Sequence, residues 1–182
     1  IEGTKFLNLW KYFNFQFGHD KNFIGDGYRS LLLSDNAFNY PFLKITSTFW
    51  KIKYVNLFTQ FQNINLPYSQ WNGYQKKYGS FHYLSMLLGK KLQIGLFEGV
   101  IWQAADSTGT RGFDVNYLNP IIFYRPVEFS LGSPDNSLMG LNASYKINSS
   151  YILYGQFLLD DFNLSKSKKG GYTFFQNKYG FQ

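Results

Sequence analysis

Apolar and polar residues alternate with a period of two along most of this chain, in stretches of about ten residues, and helical periodicity is almost absent. That pattern describes strands with one greasy and one mixed face. About ten residues is also the span a tilted strand needs to cross a bilayer. The stretches run from Phe6 to Phe17, Pro41 to Phe49, Tyr54 to Gln62, Ser80 to Leu88, Leu92 to Gln103, Ser137 to Ile147, Tyr151 to Asp160 and Gly171 to Gln182. In the first, Leu7, Leu9, Phe13, Phe15 and Phe17 share a face interrupted by Lys11, while Asn8, Asn14 and Gln16 share the other with Trp10 and Tyr12.

The connections alternate in length. Short links fall at residues 50–53, 89–91 and 148–150, and long ones at 18–40, 63–79, 104–136 and 161–170. Antiparallel strands crossing a membrane have tight turns on one side and long loops on the other, whereas a soluble sandwich spaces its turns similarly at both ends. The expected fold is therefore all-β: a segment of an antiparallel transmembrane β-barrel, about eight meandering strands forming a partial wall, with residues 1–182 as one unit. Trp10, Tyr40, Trp50, Tyr54 and Trp102 at strand ends suit an interfacial aromatic girdle. Residues 28–37 and 119–127 do not read as plain strands and are expected as short helices or extended pieces folded into the lumen or over its mouth.

Composition supports the same class. Aromatic residues make up 21% and charged residues 16%, against about 25% charged in ordinary soluble domains. Mean hydropathy is −0.27 and no run of about 18 apolar residues occurs, which excludes a transmembrane helix and leaves a barrel with a polar lumen open. The absence of cysteine excludes disulfides and thiolate metal sites. The net charge of +7 is carried partly by Lys76-Lys77, Lys90-Lys91 and Lys168-Lys169, which lie in connections instead of along one face, so no nucleic-acid partner is expected. Basic connections of this kind are solvated or meet anionic lipid or polysaccharide. The chain opens on Ile1 and closes in mid-pattern at Gln182, and the expectation is a piece of a longer exported protein.

Little in the sequence points to catalysis, and neither a cofactor nor a metal is expected. Two histidines, His19 and His82, cannot build a multi-His metal site, and neither sits in a recognisable catalytic motif. Gly25-Asp26-Gly27 reads as a tight turn using glycine's positive φ, since no phosphate-loop register accompanies it. Glu98 shares a face with Leu92, Ile94, Leu96, Val100 and Trp102, where lipid contact would be costly. Either a bulge near Gly95 or Gly99 turns it to the lumen, or this face is the lumen and a cation such as Arg111, Arg125 or a lysine neutralises it. Tyr68, Trp71 and Tyr74, interleaved with Gln70, Asn72 and Gln75, suit a sugar-stacking loop or an interfacial anchor.

Several ordered strings resemble a known family. Gly25-Asp26-Gly27-Tyr28-Arg29-Ser30-Leu31-Leu32-Leu33-Ser34-Asp35-Asn36-Ala37 is similar to the G-x-G-x-x-S-L-x-L-S-x-N-A segment of the Wzi-type capsule-assembly family. Phe81 to Leu84 followed by Leu92 to Glu98 resembles that family's adjacent-strand pattern, and Tyr117-Leu118-Asn119-Pro120 with Glu128, Asn136 and Gly140 resembles its next block. Phe23 to Ser30 is closest to the gliding-motility RemB branch. The resemblance implies a larger outer-membrane barrel with surface-exposed loops, in contact with outer-membrane lipid and lipopolysaccharide. It further implies a non-enzymatic role in anchoring capsular or extracellular polysaccharide, or in motility and adhesion machinery. Gly25, Gly27, Arg29, Ser30, Ser34, Asn36, Glu98, Asn119, Pro120 and Glu128 are the positions it marks as shaping lumen and loops. The alternatives from other classes are a diffusion porin or transport channel, and an outer-membrane hydrolase.

Overall fold

The computed structural model describes residues 5–9, 12–64, 67–68, 73–106, 109–110, 112–123, 136–160 and 178–181. Nine strands form one antiparallel sheet: β1 (Lys5–Leu9), β2 (Phe13–Asp20), β3 (Tyr40–Phe49), β4 (Ile52–Gln62), β5 (Lys76–Leu88), β6 (Leu92–Gln103), β9 (Asn136–Lys146), β10 (Ile152–Asp160) and β11 (Lys178–Phe181). A small separate hairpin, β7 (Ala105–Asp106) with β8 (Gly109–Thr110), and a 3-10 turn at Val115–Leu118 lie between β6 and β9. Each strand of the large sheet bonds to the next one in the chain, and the sheet is open, with β1 and β11 at its edges. Among the described residues no helix is long and apolar enough to cross a membrane.

Tight turns at residues 50–51, 89–91 and 147–151 sit at one end of the sheet, the end at which β1 pairs into β2, and the pairs β2–β3, β4–β5, β6–β9 and β10–β11 are joined from the other. The first alternating stretch is a hairpin and not one strand. Leu9 pairs with Phe13 and Leu7 with Phe15, so a three-residue link returns odd-numbered positions to the same face. The two-residue turn between β3 and β4 does the opposite, pairing Phe49 with Ile52 and exchanging odd for even. It places Trp50 at a φ of 54°, a left-handed conformation uncommon for a bulky residue.

Register therefore defines two faces. The first carries an apolar belt beside the tight turns, including Phe13, Ile45, Ile52, Met86, Ile94 and Leu141. Several of these side chains are exposed, Met86 by 39% and Leu141 by 44%. Towards the long connections the same face turns polar at Asn56, Ser80, His82 and Glu98, and there the segment Val115 to Phe123 covers it, stacking Tyr117 on Trp102 at 4.0 Å. The second face is polar beside the turns, at Asn14, Gln16, Thr46 and Gln93, and holds the main core farther along. Phe42, Val55, Leu57, Phe81, Tyr83 and Phe97 pack there against Ile24 and Leu32 from residues 21–39, a strap laid across the sheet.

Two sequence expectations are corrected. The β6 ladder runs without a bulge from Leu92 to Ile101 against β9, and Gly95 and Gly99 are instead seats for rings, Tyr83 over the first and Phe81 over the second. Of the residues expected as an aromatic girdle, Tyr40 and Trp102 are instead buried in the sheet's cores because loop segments fold onto them, whereas Trp50 is 87% exposed; Trp10 lies outside the described residues.

Candidate functional site

The strap contains no helix. It is shaped by bends and one isolated bridge in which Ile24 N–H donates to Leu33 O at 2.9 Å. Gly25 and Gly27 adopt φ values of 115° and 92°, and a Cβ at either would overlap β10 side chains, Gln156 at the first and Tyr154 at the second. Glycine is required there both for the left-handed backbone and for the close approach.

Between strap and sheet lies a buried polar network. Gln156 Nε2 is within donating distance of Asn142 Oδ1 (3.0 Å), Ser30 Oγ (3.2 Å) and Asp26 O (3.3 Å), while its Oε1 accepts from Leu31 N–H at 2.7 Å. Asn142 Nδ2 donates to Asp26 Oδ2 at 2.6 Å and approaches Tyr83 Oη at 3.1 Å. Ser30 Oγ–H also bonds the carbonyl of Ile24 and accepts from Leu32 N–H. Asn142 is fully buried and Gln156 nearly so, so each bond replaces water that has been excluded. The network fastens the strap, which links β2 to β3, to β9 and β10, the fourth and fifth strands beyond β3, and so holds it across the core of the second face.

On the first face, Asn56, His82 and Glu98 stand in register on β4, β5 and β6. His82 Nδ1 lies 2.7 Å from Asn56 Oδ1 and 3.2 Å from Tyr54 Oη, and its Nε2 lies 3.2 Å from Ser80 Oγ. A serine, a histidine and an amide are thus within hydrogen-bond reach, the constellation a hydrolase would need. Ser80 has one proton for two acceptors, and the shorter contact, 2.9 Å, goes to the carbonyl of Tyr117. Ser80 and His82 are buried beneath that segment. Tyr54 Oη–H donates to the carbonyl of Pro120, and the Glu98 carboxyl accepts from Phe123 N–H. In this arrangement the cluster ties Val115–Phe123 to the sheet.

The positions marked by the motif resemblance divide accordingly. Gly25, Gly27 and Ser30 belong to the strap network, and Glu98 and Pro120 to the covered row. Asn119 Oδ1 accepts from Ile121 N–H at 3.1 Å and Ser34 Oγ from Asn36 N–H at 3.3 Å, both local turns. Arg29 is exposed and sits 5.6 Å from the ring centre of Tyr28, away from the buried network. The partner found for Glu98 is a backbone amide; Arg111, Arg125 and Glu128 lie outside the described residues. In the β4–β5 connection Tyr68 and Tyr74 meet edge to face at 5.2 Å, Tyr68 being 62% exposed, and Trp71 lies outside the described residues.

Sequence reasoning did not single out Gln156, Asn142, Tyr83 or Asn56. The available signal was a polar residue between two apolar neighbours, Asn56 between Val55 and Leu57, Asn142 between Leu141 and Ala143, and Gln156 between Gly155 and Phe157, while nothing marked Tyr83 among the aromatic residues of β5. No protein-family model, no curated protein and no solved structure matches this chain.

Proposed function

We propose that this chain forms part of the wall of an outer-membrane β-barrel, a non-enzymatic surface protein that holds cell-surface polysaccharide at its long-connection end. The observation that carries the reading is the segregation of the described tight turns to one end and of the longer connections to the other, with a strap pinned across one face. The apolar belt near the turns is the lipid-facing band of this reading, and the polar second face is its lumen. On β5 the belt spans Leu84 to Leu88, roughly 16 Å at about 3.3 Å per residue, against the ~25 Å of a complete band. The segment Val115–Phe123 therefore takes over from lipid at the row of Asn56, His82 and Glu98. The exposed Tyr68–Tyr74 pair supplies ring faces suited to pyranose stacking. The motif resemblance points the same way and adds surface gliding as a setting.

Fractionation of cells carrying the intact protein, combined with its deletion, tests this. Recovery with the outer membrane and loss of polymer retention or surface spreading are expected. A soluble periplasmic protein, or unchanged retention and spreading after deletion, would overturn it. The porin alternative predicts solute conductance, and the strap across the second face argues for little.

A further inference from the structure

Resting on the membrane-wall reading above, we propose that the row of tight turns is a docking rim for the phosphate headgroups of an anionic phospholipid leaflet. The turns lie side by side. Thr48 N–H donates to Tyr12 O at 2.9 Å, Leu87 N–H to Lys51 O at 3.0 Å, and Lys146 N–H to Lys91 O at 2.9 Å, so each turn is stitched to its neighbour. Along this rim Lys51, Lys53, Lys90, Lys91 and Lys146 are all exposed. None of the described acidic residues belongs to it: Asp20, Asp106, Asp114 and Asp160 lie towards the long connections, Asp26 and Asp35 in the strap, and Glu98 within the covered row. The rim is thus cationic in a chain whose described acids all lie elsewhere.

Charge alone describes a solvated face, and two further observations give this one a partner. The Lys51 and Lys91 ammonium groups approach the carbonyls of Gly89 (3.4 Å) and Ile147 (3.2 Å), which holds them over the turns with further N–H donors to offer an anion. Trp50, held outward from its left-handed turn with Lys51 5.3 Å from its ring centre, and the stacked pair of Tyr12 and Phe49 put amphipathic and apolar rings at the same level. Directly above lies the exposed apolar belt, with Met86, Leu88 and Leu153 among its members. Lysines beside rings at the edge of an apolar band match the boundary where acyl chains give way to phosphates. A soluble polyanion, whether polysaccharide or nucleic acid, would use the lysines and leave the belt uncovered.

The test mixes the intact protein that carries this chain with vesicles of phosphatidylcholine alone and of phosphatidylcholine with phosphatidylglycerol, and compares it with a variant carrying Lys51→Gln, Lys53→Gln, Lys90→Gln, Lys91→Gln and Lys146→Gln. Unaltered chain should enter both vesicles and prefer the anionic ones by about a hundredfold or more, a preference that salt erodes. The variant should still enter neutral vesicles and lose the preference, whereas Lys76→Gln with Lys77→Gln, at the opposite end, should keep it. Equal partitioning of the unaltered chain, retention of the preference by the rim variant, or release from anionic vesicles by a soluble acidic polysaccharide would overturn the proposal. Failure to enter neutral vesicles would instead sink the membrane-wall reading, and the rim proposal with it.

Discussion

Tyr83 on β5 lies across Gly95 on β6, and its hydroxyl comes within 3.1 Å of Asn142 Nδ2 on β9, one strand farther on. A side chain thus reaches over a neighbouring strand where that strand has nothing in the way. The strap network then builds on the same Asn142.

Substitution of Gly95 by valine should displace the Tyr83 ring and cost about 1–3 kcal/mol through overpacking. The denaturation midpoint in detergent micelles measures this. A midpoint equal to that of the unaltered chain would mean the ring has room to move aside.

Gln156→Leu keeps bulk but leaves Leu31 N–H and Asn142 Oδ1 without their partner. Each buried group so stranded costs about 1–3 kcal/mol, and the strap should loosen before the sheet does. Faster amide exchange at Leu31 and Leu32, with β4 and β5 amides unchanged, is the expected signature. Uniform acceleration throughout would show that the strap is not a separate unit.

Glu98→Gln retains an oxygen for the Phe123 amide, whereas Glu98→Leu does not. The glutamine variant should keep the Trp102–Tyr117 stack, and the leucine variant should loosen it at a cost of about 1–3 kcal/mol. Tryptophan emission and Phe123 exchange report the difference. Equal behaviour of the two variants would remove the carboxyl from the account.

Tyr68→Ala and Tyr74→Ala should each weaken binding of the cognate polysaccharide roughly 2- to 12-fold, corresponding to about 0.5–1.5 kcal/mol per aromatic contact, without shifting the denaturation midpoint. Titration on immobilised polymer is the direct measurement. Undiminished binding by the double variant would move the sugar site elsewhere.

The regular part of the fold was legible because period-two patterning is local. Residues 92–103 were expected as one strand, and β6 has those bounds. The start of β5 was hidden because Lys76, Lys77 and Gly79 read as connection, yet their ladder to Gln62, Phe61 and Thr59 extends the sheet beyond its greasy part. The β1–β2 hairpin was hidden by parity, since a three-residue link leaves alternation unbroken through the turn. Ser80 and His82 were visibly on one face, two positions apart, but Asn56 joins them from another strand. Nothing local in Ser30 names Gln156, and the lysines of separate turns become one rim through strand pairing alone.

The strap also sets an order of events. Ser30 meets Gln156 across 126 positions of chain, a contact that no early stage of synthesis can make. Strands β3 to β6 can zip in sequence by neighbouring pairings while residues 21–39 wait, and the fastening closes when β10 arrives. A chain stalled before Tyr151 would keep the apolar contacts of Ile24 and Leu32 with β3 to β6 but lack the Gln156 bonds, which makes this latch a built-in sign that the sheet has been laid as far as β10, its eighth strand.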